Sequence, residues 1–314
     1  KRNTKMVDLW GLLELEATMF LLILAGGWLK RKGTISEEGQ TSLSNVLMNV
    51  ILPCNIVESF LGGMVFPDGF ARNCLLAVGL SAVIQLMSIY GSKLLFRKYP
   101  REQRSVLSYG IICSNSSFVG LPVARLLFGD LGVIYTSMFQ IPLRFTMWTA
   151  GLSLFTSVSR KDAFRKLVRH PCIIAVFAGL LLMAAPVSLP GFLDSAVASV
   201  SSCTVPVSMF VIGTILADAP IRSMFSKPVL WYTCLRLVLY PLLLCVLLKP
   251  LHLDTTLTNV CILMTGMPAG STGSILADKY DCDAVFASQI AFASTLCSIL
   301  TIPLLTLVME SFPL

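Results

Sequence analysis

The segment CSNSSFVGLP, residues Cys113 to Pro122, decides the fold because it interrupts an otherwise apolar helix. It places three serines and an asparagine within a stretch of membrane-helix length. Gly120 and Pro122 follow, and both residue types weaken helices. Inside lipid, such a break is tolerated only where protein or a water-filled cavity satisfies the freed backbone groups. If the chain lies in a membrane, the segment predicts an internal cavity.

The composition is that of a membrane protein. The 314 residues are 55% hydrophobic and 13% charged, and the mean hydropathy is +0.79, whereas soluble domains are about 25% charged. The ten cysteines lie mostly in apolar runs without zinc-site spacing, which favours small buried hydrophobes over a disulfide framework. We expect no metal, no cofactor and no enzymatic activity, because no catalytic cluster appears.

Ten apolar segments approach the roughly 20 residues that a helix needs to cross a bilayer. They run over residues 10–29, 43–65, 74–96, 106–128, 133–158, 172–187, 193–217, 229–248, 257–277 and 284–309. The first segment contains Glu14 and Glu16 and lacks a convincing cleavage site, so we interpret it as a membrane helix rather than a signal peptide. The sequence predicts an all-α polytopic membrane protein with ten transmembrane helices.

Lysine and arginine fall mainly on alternate connections, which predicts the orientation. The basic connections lie near residues 30–32, 93–104, 160–169, 222–227 and 279. Placing these connections in the cytoplasm puts both termini outside a cell membrane. The net charge of +7 is therefore a topology signal rather than evidence for nucleic-acid binding. Binding of anionic lipid head groups to the basic connections is a weaker alternative.

Prolines recur at matching places in the two halves of the chain. Pro53 matches Pro206, Pro122 matches Pro268 and Pro142 matches Pro303, in the second, fourth and fifth spans of each half. Because five spans is an odd number, the second half enters the membrane from the opposite side. This pattern predicts inverted repeats, residues 1–158 and 172–314, joined by a basic link over 159–171. Matched broken helices in such repeats are typical of a transport site.

The fourth and ninth spans are predicted to cross each other at their breaks, near Pro122 and Pro268. Each exposed helix N-terminus acts as about half a positive charge and contributes about 0.3–2 kcal/mol. A charge at the bilayer centre costs at least about 2.5–3.5 kcal/mol, so further hydrogen-bond donors are needed. The candidate substrate-binding residues are Ser114, Asn115, Ser116, Pro122, Pro268, Ser271 and Thr272, with Gly120, Gly270, Pro53 and Pro206 as crossover or structural positions.

Each candidate also has a structural interpretation. Serines and threonines in membrane helices often bond back to their own backbone or join neighbouring helices. Pro53 or Pro206 alone is more often a kink. Repetition of the pattern in both halves favours the functional interpretation of the whole set.

Charged residues within the spans are functional hypotheses by default. Arg144 is a candidate substrate-carboxylate ligand, with a structural partner as the alternative, and Arg236 is assigned a structural role. Glu16 and Glu58 are candidate proton carriers, which leaves coupling to protons, sodium or neither open. The aspartates at 278, 281 and 283 are interpreted as solvated loop charges.

Several segments resemble the auxin efflux carrier family, including the plant PIN carriers and bacterial members. They are NSSFVGLPVARLLFGDLG (115–132), MPAGSTGSILADKYDCDAVFASQIAFASTLCSILTIPL (267–304), FRKLVRHP (164–171) and ILPCNIVESF (51–60). In that family an asparagine stands seven residues before the crossover proline, as Asn115 does before Pro122. The short link between the halves resembles the bacterial type.

The resemblance implies ten helices in two inverted repeats, similar to bile-acid sodium symporters. It further implies a scaffold of spans 1, 2, 6 and 7 and a mobile transport domain of spans 3–5 and 8–10. An elevator-like movement and a small organic anion as substrate, auxin-like or a mono- or dicarboxylate, are also implied. Separately, we expect a homodimer. Asn115 becomes the leading substrate contact. A sodium-coupled bile-acid-type symporter and a ligand-sensing membrane receptor are the alternatives.

Overall fold

The computed structural model describes residues 9–61, 68–156, 165, 168–184, 189–217, 226–270, 272–280 and 282–311. In these ranges the chain is helical with short connections, and the one extended pairing is an isolated bridge between Ser114 and Ala269. The predicted all-helical architecture is therefore confirmed for the described part of the chain.

Twelve helices organise the described residues. They are α1 (Leu9–Arg31), α2 (Glu37–Leu61), α3 (Phe70–Leu95), α4 (Arg101–Ile112), α5 (Ser116–Gly151), α6 (Pro171–Ala184), α7 (Gly191–Ser202), α8 (Thr204–Ala217), α9 (Lys227–Leu251), α10 (Thr255–Thr265), α11 (Thr272–Lys279) and α12 (Ala284–Ser311). Each predicted span contains at least part of one of these helices. The assignment of ten membrane crossings stays a prediction.

Six helical stretches in the described ranges are long and apolar enough to cross a membrane. They are Glu37–Leu61, Phe70–Leu95, Ser116–Gly151, Gly191–Ile215, Lys227–Leu251 and Ala284–Met309. Pro171–Leu182 and Thr255–Thr265 are apolar but shorter. These stretches confirm the membrane class that the composition predicted.

The interruption in the fourth predicted span lies earlier than expected. Helix α4 ends at Ile112 and α5 begins at Ser116, so the break covers residues 113–115, which include Asn115, rather than occurring near Pro122. Pro122 lies in the first turn of the regular helix that follows, where its missing N–H is best tolerated. The bend that separates the fourth and fifth predicted spans is at Gly129, whose φ of 62° favours glycine.

Three prolines follow widened π-helical turns. The turns are Leu47–Ile51, Ser116–Gly120 and Leu235–Leu239, each ending two residues before Pro53, Pro122 or Pro241. Proline donates no N–H, and its ring crowds the carbonyl four residues earlier. The preceding turn therefore widens, and the N–H of Leu121 bonds to the carbonyl of Ser116 five residues before it. Before Pro206 the helix is instead interrupted for one residue, Cys203, between α7 and α8, although Cys203 keeps right-handed helical backbone angles.

Small residues bring α1 and α8 into close contact. A Cβ added at Gly213 would collide with the carbonyl oxygen of Ile23, and one added at Gly26 would collide with that of Phe210. Close approach through glycine is typical of packed membrane helices, where van der Waals contact replaces the hydrophobic effect. Helix α2 packs against α6 and α7 beside this pair.

Buried polar bonds connect α3 to α5 and to α9. Ser81 Oγ donates to the carbonyl of Phe139 at 2.6 Å, and the hydroxyls of Ser88 and Tyr240 lie 2.6 Å apart. Interhelical bonds of this kind satisfy groups that lipid cannot. Helices α10 and α12 complete the packing around α5 and α9.

Candidate functional site

The two helix breaks lie against each other. Ser114 and Ala269 form an antiparallel bridge, and the N–H of Asn115 donates to the carbonyl of Pro268 at 2.8 Å. A longer bond, 3.4 Å, joins the N–H of Gly270 to the carbonyl of Cys113. We call residues 113–115 together with 266–270 the crossover. Each break supplies backbone partners to the other, which satisfies groups that neither helix could pair alone.

Gly120 permits a close approach beside the crossover. A Cβ at this position would lie 2.9 Å from the sulfur of Met264 and 3.1 Å from Cγ of Met267. Both distances are shorter than an ordinary carbon contact. A larger residue here would require the Met264 and Met267 side chains, or α5 itself, to shift, which is consistent with the structural role expected for this glycine.

Arg236 caps the carboxyl ends of both interrupted helices. Its Nη1 donates to the carbonyl of Ile111 at 2.7 Å, and its Nε donates to the carbonyl of Met267 at 2.9 Å. The side chain is buried, and no carboxylate of the described residues forms an ion pair with it. Helix carboxyl ends carry partial negative charge, so a guanidinium there is stabilised without an acidic partner. These contacts fit the structural role assigned to Arg236 from the sequence.

Successive residues of the crossover face different cavities. Ser114 lines a polar cavity together with Gln85, Arg236 and Tyr240, and its buried Oγ forms no hydrogen bond with the described residues. Asn115 lines a cavity on the other side. In extended backbone, neighbouring side chains point in opposite directions, which explains the separation.

The cavity at Asn115 is mostly apolar. Ile212 and Ile215 of α8, Ala269 of the crossover, and Ala291 and Thr295 of α12 line it. Ile212 and Thr295 also line an adjoining cavity whose walls include Phe20, Ile23, Val119, Val123, Met209, Ser298, Ile299 and Ile302. We call the two cavities together the Asn115 cleft. None of its lining residues carries a charge.

The side-chain amide of Asn115 forms no hydrogen bond within the described part of the chain, and the residue is half-buried. Nearby, the N–H groups of Ser116, Ser117 and Phe118 lie in the first turn of α5, where no helical acceptor exists. The positive end of α5 therefore lies directly beside Asn115, whose amide offers two donors and one acceptor.

Arg144 lies in a buried polar network behind the crossover. Its Nη2 donates to Ser117 Oγ at 2.7 Å and to Gln140 Oε1 at 3.0 Å, while its Nη1 lies 2.7 Å from His170 Nε2. Gln140 in turn donates to the carbonyl of Ser116 at 3.1 Å. Because Arg144 does not line the Asn115 cleft, its position supports the structural alternative considered for it.

Other predicted site residues take varied positions. Ser116 is buried at the start of α5, and Thr272 begins α11. Pro122 is buried within α5, one to two turns beyond the break. Ser271 and Asp281 lie outside the described residues, as do the side chains of Glu16 and Asp278.

Sequence reasoning missed Ile212, Gln140 and Thr295. Thr295 and Ser298 follow one another at helical spacing in the apolar α12, and this polar stripe was the signal available for them. Gln140 precedes Arg144 by one helical turn, a spacing that predicts contact. Ile212 offered no signal, because an isoleucine in a membrane helix faces lipid or protein equally well.

Comparison with known proteins is consistent with this architecture. The family described as "Membrane transport protein" matches residues 13–164 and 158–306. An uncharacterized transporter of Methanothermobacter thermautotrophicus is 25% identical over 95% of this chain and 99% of its own length. Uncharacterized transporters of Methanocaldococcus jannaschii and Escherichia coli K12 are each 22% identical over 91% of this chain, and over 95% and 94% of their own lengths.

The family match spans nearly the whole chain, and the relatives align from end to end. This agreement confirms the resemblance to auxin efflux carriers and the expectation of a transporter rather than an enzyme. The chain belongs to the membrane transport protein family.

Proposed function

We propose that the protein is a secondary-type carrier that moves a small organic anion across the cell membrane by an elevator-like alternating-access movement. The substrate carboxylate binds at the crossover. The observation that carries this proposal is the side-chain amide of Asn115, which forms no hydrogen bond with the described residues and is half-buried in a cleft beside the positive end of α5.

Electrostatics favour an anion at this corner of the cleft. The N-terminal ends of α5 and α11 each contribute about half a positive charge. Arg236 caps the opposite, negative ends of α4 and α10, so their partial charges do not cancel the attraction. The Asn115 amide adds two neutral donors, which leaves the empty site without an unpaired full charge.

The lining of the Asn115 cleft favours one kind of organic anion. Beyond Asn115 the described walls are aliphatic or aromatic, with Thr295 and Ser298 as polar exceptions. A second carboxylate placed there would lose its hydration without a cationic partner. A monocarboxylate with an apolar body therefore matches the cleft better than a dicarboxylate does.

The packing supports the predicted division into scaffold and transport domain. Helix α1 packs on α8, and α2 packs on α6 and α7, which corresponds to spans 1, 2, 6 and 7. Helix α3 packs on α4 and α5, and α9 packs on α10 and α12, which corresponds to spans 3–5 and 8–10. The Asn115 cleft lies between the two sets. A movement of one set against the other would carry Asn115 past α1 and α8.

Ten spans in inverted repeats over 1–158 and 172–314, with both termini outside, complete the proposal. We expect a homodimer and favour proton coupling, with sodium coupling as the alternative.

Flux into proteoliposomes tests the function directly. Purified protein is reconstituted, and uptake of labelled indole-3-acetate is compared with uptake of labelled succinate, each with no gradient, a pH gradient or a sodium gradient. We expect saturable uptake of the apolar monocarboxylate above protein-free vesicles. Specific binding without flux would instead support a receptor. Flux that requires sodium would support the bile-acid-type alternative.

A further inference from the structure

A second polar cavity lies away from the crossover, between α2, α7 and the start of α8. Its volume is about 150 Å³, and Asn55, Glu58, Arg125, Ser201, Ser202 and Thr204 are among the residues that line it. Neither the Asn115 cleft nor the Arg144 network includes any of these residues. The cavity is large enough for several water-sized groups.

Two buried oxygens at this cavity have no hydrogen-bond partner in the part of the chain that the structure describes. Asn55 and Thr204 are each 2% exposed, yet Asn55 Oδ1 and Thr204 Oγ1 form no hydrogen bond within the described ranges. A buried polar atom without a partner costs about 1–3 kcal/mol. Asn55 Oδ1 can only accept, and Thr204 Oγ1 can accept as well as donate, so both oxygens can bind a cation.

The hydrogen bonds around Glu58 leave one carboxylate oxygen free. Arg125 Nη2 donates to Oε2 at 2.9 Å, and Ser201 Oγ donates to the same oxygen at 2.6 Å. Asn55 Nδ2 donates to Ser201 Oγ at 2.9 Å, which ties the amide to the carboxylate. Glu58 Oε1 accepts no bond from the described residues. It is therefore available to a ligand.

A fourth oxygen comes from the break before Pro206. Because residue 206 is proline, it has no N–H to donate to the carbonyl of Ser202, four residues earlier. Ser202 lines the cavity. The available ligands are thus one carboxylate oxygen, one amide oxygen, one hydroxyl and one peptide carbonyl.

The charged donor at this cavity, the Arg125 guanidinium, already has partners on both of its terminal nitrogens. Arg125 Nη1 bonds to Ser59 Oγ at 3.0 Å and pairs with Asp130, while Nη2 is held by Glu58. Two carboxylates, Glu58 and Asp130, face this one guanidinium, so the formal charge of the group is minus one. One monovalent cation would neutralise it.

We propose that this cavity is a binding site for a monovalent alkali cation, held by Asn55, Glu58, Ser202 and Thr204. Oxygen ligands suit such hard ions, and the single net negative charge of the group matches one monovalent cation, whereas calcium sites usually combine several carboxylates. Cavity waters complete the coordination. The proposal does not depend on which anion is transported.

Radioligand binding to purified protein in detergent tests the site. Binding of ²²Na⁺, and of ⁸⁶Rb⁺ as a potassium analogue, is measured at constant ionic strength with excess NaCl, KCl, CaCl₂ or choline chloride as competitor. We expect saturable binding of at least one ion that an alkali chloride displaces and choline does not.

Three variants make the test specific. Thr204→Val removes the unpartnered hydroxyl while preserving shape, and Glu58→Gln removes the charge. Each should weaken binding by about tenfold or more, roughly the effect of one lost bond to a charged group. Thr214→Val is the matched control, because its buried hydroxyl on the same helix already bonds to the carbonyl of Val211. It should bind as the parent does.

Three results would overturn the proposal. One is the absence of saturable binding of both ions to folded protein, which would mean that the cavity holds water only. Another is binding that Thr204→Val and Glu58→Gln leave unchanged. The third is displacement of the bound ion by calcium at concentrations far below those of the alkali chlorides, which would assign a divalent site.

If Glu58→Gln does not fold, the binding measured for Thr204→Val alone tests the site. Because this experiment measures cation binding and not transport, a negative result would overturn the cation site without contradicting the proposed transport of an organic anion.

Discussion

The backbone N–H of Asn115 donates to the carbonyl of Pro268 across the crossover, with 2.8 Å between nitrogen and oxygen. This bond joins the first half of the chain to the second. Because it uses only the backbone, the side-chain amide of Asn115 contributes nothing to the pairing of the breaks. Structure and ligand binding at this residue are therefore separable by mutation.

Asn115→Ala should preserve folding and weaken substrate binding. The loss of a hydrogen bond to a carboxylate costs about 1–3 kcal/mol, which corresponds to roughly a five- to 150-fold lower affinity. Affinity for the transported anion is measured by titration calorimetry, and folding by thermal unfolding. Asn49→Ala is the control, because the Asn49 amide bonds to the carbonyl of Asn45 on an exposed face. Normal transport by folded Asn115→Ala would leave the crossover as a purely structural kink.

Arg236→Met should destabilise the protein strongly. It leaves the carbonyls of Ile111 and Met267 buried without this donor, at roughly 1–3 kcal/mol each, or about 2–6 kcal/mol together. Arg236→Lys should recover only part of the loss, since an ammonium lacks the planar fork.

Thermal unfolding in detergent measures both Arg236 variants. Arg97→Met, which replaces an exposed arginine, serves as the control. An unchanged melting temperature in Arg236→Met would show that the two carbonyls find other donors.

His170 should make stability depend on pH. Burial and the adjacent Arg144 lower the pKa of His170 to about 3, so the folded protein keeps the imidazole neutral. The unfolded chain binds a proton below about pH 6.5. Stability should therefore fall as pH drops below that value, because the unfolded state then binds more protons.

Melting temperatures at pH 7.5 and pH 5 check this. The decrease should be smaller by a few degrees in His170→Gln, which cannot titrate and still offers Arg144 an acceptor. His252→Asn is the control, since His252 is exposed and asparagine tolerates its left-handed backbone, φ 47°. Equal decreases in parent and His170→Gln would contradict the prediction.

Cysteine labelling tests the orientation. In a variant without its own cysteines, Ser159→Cys should be protected from a membrane-impermeant reagent in intact cells, and Ser188→Cys should react. The expectation follows from the basic residues around position 159. Both positions lie outside the described residues. The reverse pattern would exchange the two sides of the membrane throughout.

The sequence predicted the broken helices better than the location of the break. Polar and Gly-rich composition identified both segments, because such composition is rare in membrane helices. Whether the helix breaks at Pro122 or at residues 113–115 depends on where the ninth span supplies backbone hydrogen-bond partners. Pairing of Ser114 with Ala269 is a long-range contact that no local pattern encodes.

The two intramembrane arginines illustrate the same limit. Their burial followed from apolar neighbours in sequence, and burial predicted that each has partners. The identity of these partners depends on the direction that each side chain takes in the folded protein. Arg236 bonds to two carbonyls from different halves of the chain, and Arg144 bonds to Ser117 and His170. The sequence alone indicates that both arginines have functional or structural partners. It does not show whether each arginine binds the substrate or another part of the protein.

The widened turns before Pro53, Pro122 and Pro241 make the residue count of these helices a constraint in its own right. Each turn accommodates one residue more than an α-helical path would, and one residue rotates everything beyond it by roughly 100°. Deleting a single residue from Leu47–Ile51 would turn Asn55 and Glu58 away from Ser201, even though every side chain of the cavity remained in the chain. For these helices, an insertion or deletion is a more severe change than most substitutions.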